Sequence, residues 1–144
     1  MATLSRSQRG FTLIEIMVVM VIIAILAALI GPQILGRVDE ARVTKAQADI
    51  RTLGTSLDLY RMDNFQYPTT DQGLKALVTK PDDPSAKNWK PGGYVQKLSK
   101  DPWGNDYQYR APGQHSGGAF DLYSLGADNA EGGDGENQDV VSWQ

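Results

Sequence analysis

The sequence predicts an α+β fold, with one long N-terminal helix packed on a small antiparallel β-sheet and an acidic loop near the C-terminus. Three observations carry this. An apolar run fills residues 11–30, a helical spacing of apolar side chains continues from there to Tyr60, and two short alternating stretches follow residue 106 with turn residues between them.

The 144 residues allow one domain of ordinary size beside the apolar run. The formal net charge is −3, and Arg6 and Arg9 precede Phe11 with no acid among them, so the remainder is more acidic still. An acidic body argues against a nucleic-acid partner, because phosphate binding needs a basic surface. With no cysteine, no disulfide can fasten the chain, and a metal site is another means of doing so.

Residues 11–30 read FTLIEIMVVMVIIAILAALI, with only Thr12 and Glu15 polar. About 20 such residues cross a bilayer as a helix. The preceding arginines place the N-terminus in the cytoplasm and the body across the membrane. A secretory signal has a shorter apolar core, about 7–15 residues, closed by small residues of the A-x-A kind, and neither feature is present. A plain anchor leaves Glu15 unexplained, since a carboxylate in hydrocarbon costs at least ~2.5 kcal/mol. Glu15 is therefore expected to have a functional partner outside its own run. Gly31-Pro32 ends the run, and the proline ring clashes with the Ala28 carbonyl, which predicts a kink at the membrane surface.

Gly10-Phe11-Thr12-Leu13-Ile14-Glu15, behind a basic leader and ahead of a long apolar run, resembles the processing site of type IV pilin-like precursors. The resemblance implies that an inner-membrane prepilin peptidase cuts between Gly10 and Phe11 and N-methylates Phe11. The resulting division is a leader over 1–10, a transmembrane and assembly half-helix over 11–31 and a periplasmic domain over 32–144. Glu15 would pair with the Phe11 amine of a neighbouring subunit, offsetting the burial of both charges and setting the register of a polymer.

Leu35, Val38, Arg42, Ala46, Ile50, Leu53, Leu57 and Tyr60 follow steps of three and four, with charged residues on the other faces. Joined to the apolar run they predict a helix of roughly 50 residues, about 75 Å long. Asp63-Asn64 and Tyr67-Pro68 end it. A short helix is expected over 70–78 and a loop over 80–93, where three prolines and a glycine pair stand. Asp101-Pro102-Trp103-Gly104 has the residue order of a type I turn. Tyr107 and Tyr109 alternate with polar residues as a strand, and 119–125 is a second strand with Phe120, Leu122 and Tyr123 toward the core.

These segments extend the likeness. Tyr67-Pro68-Thr69-Thr70 with Gln72-Gly73-Leu74 and Ala76-Leu77, the Asp101–Gly104 turn, and Ser124-Leu125-Gly126-Ala127-Asp128 resemble the major pseudopilins of type II secretion systems, over nearly the whole chain after Gly10. The resemblance implies a type IV pilin-like fold and a structural subunit. Such a subunit polymerises into a periplasmic pseudopilus that drives folded proteins through the outer membrane. It implies as partners other copies of the chain, minor pseudopilins, prepilin peptidase and an inner-membrane assembly platform with a cytoplasmic ATPase. The alternative is a pilin of a type IV pilus or DNA-uptake pilus. A minor pseudopilin at the filament tip fits less well, because Glu15 is present.

Residues 128–139 combine Gly132, Gly133 and Gly135 with Asp128, Glu131, Asp134, Glu136 and Asp139. Composition leaves two readings open, a solvated turn or a calcium loop bent around an ion by its glycines. An EF-hand is excluded, since Ala130 and Gly132 stand where ligands belong. The pseudopilin resemblance implies the calcium loop, with the Leu125 carbonyl, the Asp128 and Asp139 side chains, and Asn137 where relatives often carry Asp. His115, the only histidine, lies in a Gly-rich turn with no marked nucleophile or orienting acid, so no enzymatic role is expected.

Overall fold

In the computed structural model of the chain, which describes residues 10–143, the helix α1 (Leu13–Asn64) starts where Thr12 caps it. The Thr12 hydroxyl accepts from the Glu15 N–H at 3.3 Å, and the Glu15 carboxylate accepts from the Thr12 N–H at 3.4 Å. This is a capping box, Thr at the cap and Glu three residues on, satisfying two end donors that the helix itself cannot pair. Of the leader expected over 1–10, residues 1–9 lie outside the described residues, as do the side chains of 31–35, although the helical backbone runs through Gly31-Pro32.

The chain divides after Val38 into two units. In the first, Leu13–Ile30 has a mean hydropathy of 3.2 and buries none of its side chains within the protein, so it is long and apolar enough to cross a membrane. Val38, placed by its spacing on the packing stripe, is 43% exposed. The stripe that packs begins later, with Ala46, Ile50, Leu53, Leu57 and Tyr60 of the second unit, all buried. Leu35 is among the side chains outside the described set.

These helical residues meet Leu74, Ala76, Leu77, Tyr107, Leu122 and Val140 in one core. A fully buried leucine contributes roughly 1.5–3 kcal/mol, so Leu57, Leu77 and Leu122, each wholly buried, are its principal hydrophobic anchors. α1 ends with Phe65 in the left-handed region at φ 65, its N–H bonded to the Arg61 carbonyl at 2.7 Å. The Tyr94 hydroxyl, which donates to Asp63 and accepts from Asn64 at 3.0 Å each, ties the proline-rich loop to that end.

The short helix expected over 70–78 is a turn followed by a 3-10 helix, Leu74–Leu77. Four residues suffice to bury Leu74 and Leu77 from a tight turn. The Asp101–Gly104 turn forms as its residue order predicts, the Gly104 N–H reaching the Asp101 carbonyl at 3.0 Å. Strands β1 (Gln108–Arg110), β2 (Asp121–Ser124) and β3 (Val140–Val141) form an antiparallel sheet in that order, with Tyr109 opposite Leu122 and Tyr123 opposite Val141. β3 is an element the periodicity did not announce. Two residues are too few to show alternation, and only pairing with β2 makes them a strand. It returns the chain to the sheet after the acidic loop, so both ends of that loop leave from adjacent strands.

Candidate functional site

The residues singled out from the sequence fall at two places. Phe11 and Glu15 stand at the start of α1, where the Phe11 side chain is 80% exposed. Glu15 is not without a local partner, as its place in the apolar run suggested, because its carboxylate closes the capping box with Thr12. The signal was in the sequence, Thr-x-x-Glu directly before an apolar run. At 3.4 Å that bond is long and neutral at its donor, so the negative charge of Glu15 has no counter-charge in it.

Leu125, Asp128, Asn137 and Asp139 belong to the loop between β2 and β3. Gly126 is buried at φ 67 and presses on the far arm, so that a Cβ there would come within 2.8 Å of the Asn137 carbonyl carbon. A Cβ on Gly133, at φ 89, would lie 2.6 Å from the Asn137 oxygen. Ala127 N–H bonds the Glu136 carbonyl at 2.9 Å. The two arms therefore touch through backbone, which only glycine permits at these two points. Asp128 is exposed and its Oδ1 accepts from the Ala130 N–H at 3.2 Å. Asp139 Oδ2 accepts from the Gly132 N–H at 2.9 Å, whereas its Oδ1 is buried and unpartnered. A buried carboxylate oxygen without a donor is costly and fits a site for a cation.

Among the described residues no group of three or more His, Cys, Asp or Glu side chains converges on a point. A cation in this loop must then draw on carbonyl and amide oxygens beside two carboxylates. Calcium, which takes six to eight oxygens of mixed kinds in flexible geometry, accepts such a set. Glu136 turns outward to Arg42 of α1 at 3.7 Å, and the neighbouring Asp39 carboxylate raises its pKa. Arg42, placed by spacing on the packing stripe, instead meets the loop.

Two interior acids were not anticipated. Asp101 and Asp121 are both buried, and no Lys or Arg pairs with either among the described residues. Asp121, on β2, accepts three backbone N–H bonds from the preceding turn: Gln114 at 2.6 Å, His115 at 2.8 Å and Ser116 at 3.0 Å. Burial pushes its pKa up, but the bonds from His115, Ser116 and Gln114 outweigh burial and hold it well below the usual carboxylate range. Asp101 accepts from the Trp103 and Asn105 N–H groups and from the Ser124 hydroxyl. A sequence shows such an acid only as an acid in a turn or on a strand, since tertiary structure sets which backbone N–H groups and hydroxyls reach it. His115 stacks on Trp143, with ring centroids 5.8 Å apart, beside Tyr123. This arrangement fastens Trp143 to the sheet.

Residues 33–143 match the family model described as type II secretion system, protein G, and residues 5–31 match the prokaryotic N-terminal methylation motif. The type II secretion system core protein G of Pseudomonas aeruginosa is 58% identical over 139 residues, covering 96% of each chain. That of Vibrio cholerae is 53% identical over 138 residues, covering 96% of this chain and 93% of the relative. Among solved structures, the major pseudopilin from the type 2 secretion system of enterohaemorrhagic Escherichia coli superposes with a TM-score of 0.66. It shares 41% identity, covering 76% of this chain and 92% of that one.

Proposed function

The chain belongs to the protein G family of type II secretion systems, and from that premise we propose how its two ends divide the work of a pseudopilus subunit. It is a structural subunit of the secretion pseudopilus, not an enzyme. The methylation motif and the family together imply processing by prepilin peptidase and self-assembly. The protein G match over 33–143 sets aside the pilus and DNA-uptake alternative, which the apolar segment alone left open.

In this reading the cut falls between Gly10 and Phe11, and Phe11 is N-methylated. Before assembly the apolar half of α1 crosses the inner membrane with its N-terminus in the cytoplasm and the body in the periplasm. The Phe11 amine of one subunit meets Glu15 of the next. The capping box supports this by holding the Glu15 carboxylate at the helix start, where an incoming cation would find it. Repetition of one head-to-tail contact without closure yields a filament. A platform with a cytoplasmic ATPase drives its growth, and minor pseudopilins begin it.

At the other end, the Leu125 carbonyl, Asp128, Asn137 and Asp139 hold calcium. The observation that carries this is the buried, unpartnered Oδ1 of Asp139 between two arms already joined at Gly126 and Gly133. A bound ion supplies positive charge that cross-links the end of β2 to the start of β3. It thereby favours the packing of Val140 and the seating of Trp143. The experiment is thermal melting of the full chain in detergent micelles, with calcium and with a chelator, for wild type and Asp128→Ala. Wild type is expected to lose several degrees on chelation and Asp128→Ala to be indifferent. A deletion strain complemented with Asp128→Ala is expected to retain exported proteins in the periplasm. Melting of the wild type that ignores calcium removes the metal from this reading, while wild-type secretion with Asp128→Ala removes its importance.

A further inference from the structure

We propose that the Asp101–Asn105 turn, together with Ser124, positions the Leu125 carbonyl for the cation, so that Asp101, Asn105 and Ser124 are positioning residues for the loop. This rests on the calcium reading above. The argument begins at the peptide joining Leu125 to Gly126. A trans peptide is planar, and its C=O and N–H point in opposite directions. The Gly126 N–H donates to the Ser124 Oγ at 3.2 Å, which directs the Leu125 carbonyl away from that hydroxyl. The Ser124 hydroxyl is itself committed, since it donates to Asp101 Oδ2 at 2.5 Å. Asp101 cannot turn away, because its Oδ1 accepts from Trp103 N–H at 3.1 Å and Asn105 N–H at 2.8 Å. Its backbone N–H is taken by the Asn105 carbonyl at 2.9 Å. At the next peptide, which joins Gly126 to Ala127, the Asn105 Nδ2 donates to the Gly126 carbonyl at 2.9 Å.

Leu125 is thus flanked by two residues anchored to one turn, Ser124 through Asp101 and Gly126 through Asn105. Asp101 and Ser124 are buried, at 5% and 0% exposure, where such bonds hold their geometry against water. The turn touches the first arm of the loop without supplying a ligand to it. It therefore has the place of an outer-shell support, whose removal typically weakens metal binding 10–100-fold.

The test is calcium titration calorimetry of the full chain in detergent micelles on wild type, Ser124→Ala and Asn105→Ala, with amide hydrogen exchange on the same samples. Asn105 is only partly buried and touches the first arm by its side chain alone, so Asn105→Ala keeps the question answerable if Ser124→Ala does not fold. Each variant is expected to bind calcium about 10-fold more weakly, with faster exchange at Gly126 and Ala127 and unchanged protection at the β1–β2 pairs. A merely structural role would lower the melting temperature but leave the calcium affinity of the folded protein within twofold of wild type. That result, with a wild type that binds, overturns the positioning role and leaves the calcium reading standing. A wild type that binds no calcium overturns both.

Discussion

Asp121→Asn tests whether backbone donors, and not a counter-charge, hold the β1–β2 end of the sheet. The carboxylate is wholly buried and accepts three N–H bonds, two on Oδ2 and one on Oδ1. An amide in the same place keeps one acceptor oxygen. At best it retains the Gln114 and His115 bonds without their charge and turns an NH2 toward the Ser116 N–H. Weakening two charge-assisted bonds by about 1 kcal/mol each and leaving one donor unpaired for about another 1 kcal/mol costs roughly 3 kcal/mol. Relief of the buried charge opposes this. The three N–H bonds hold the Asp121 pKa down although burial pushes it up, so the fold favours the charged form. At about 4 °C per kcal/mol for a domain near 100 residues, the melting temperature falls by about 12 °C. The assay is circular-dichroism melting of the full chain in micelles, with exposed Asp106→Asn as control. The pH dependence adds a signed check. A carboxylate with a depressed folded pKa contributes stability that is fully present above its unfolded pKa, about 3.9, and is lost as pH falls toward the folded value. Wild type should therefore lose more stability than Asp121→Asn between pH 5 and the acid limit of the assay. Equal melting temperatures at pH 7, or parallel acid profiles, refute the reasoning.

Other outcomes follow from single residues. Glu15→Leu removes the one charge in the apolar segment, so it is expected to insert and be processed but to yield no filaments when overproduced. Normal filaments by electron microscopy would show that Glu15 does not set the subunit contact. Phe65→Gly relieves a left-handed backbone at a helix end and sacrifices little packing, since the ring is 84% exposed. A gain of about 1 kcal/mol is expected in the same melting assay, and a loss would reveal that the exposed ring has a partner.

The apolar segment, the turn at Asp101–Gly104 and the buried stripe from Ala46 to Tyr60 were legible from residue order, because each rests on spacing within one stretch of chain. The stripe begins later than its spacing alone indicates. The same spacing that placed Ala46 inside placed Val38 and Arg42 there too, and periodicity cannot say where along a helix the rest of the protein begins. The capping box was legible too, as Thr12 and Glu15 three residues apart directly ahead of the apolar residues. β3 and the acids Asp101 and Asp121 had no local signature. Asp121 relies on N–H groups five to seven residues back, Asp101 on a hydroxyl 23 residues on as well as its own turn, and β3 on pairing with β2.

By itself the sequence determined that the chain carries a membrane-length helix with a processing motif, a cysteine-free acidic body, and an end rich in oxygen and glycine. Those are matters of composition and near-neighbour spacing, which a linear chain records directly. Tertiary structure alone decided which carboxylates are interior, that Gly126 and Gly133 bring the two arms of the loop into backbone contact, and that one turn bonds the residues on either side of Leu125. The physical reason is that hydrogen-bond satisfaction and close approach belong to pairs of groups, and the pairs are made only when the sheet closes against the helix.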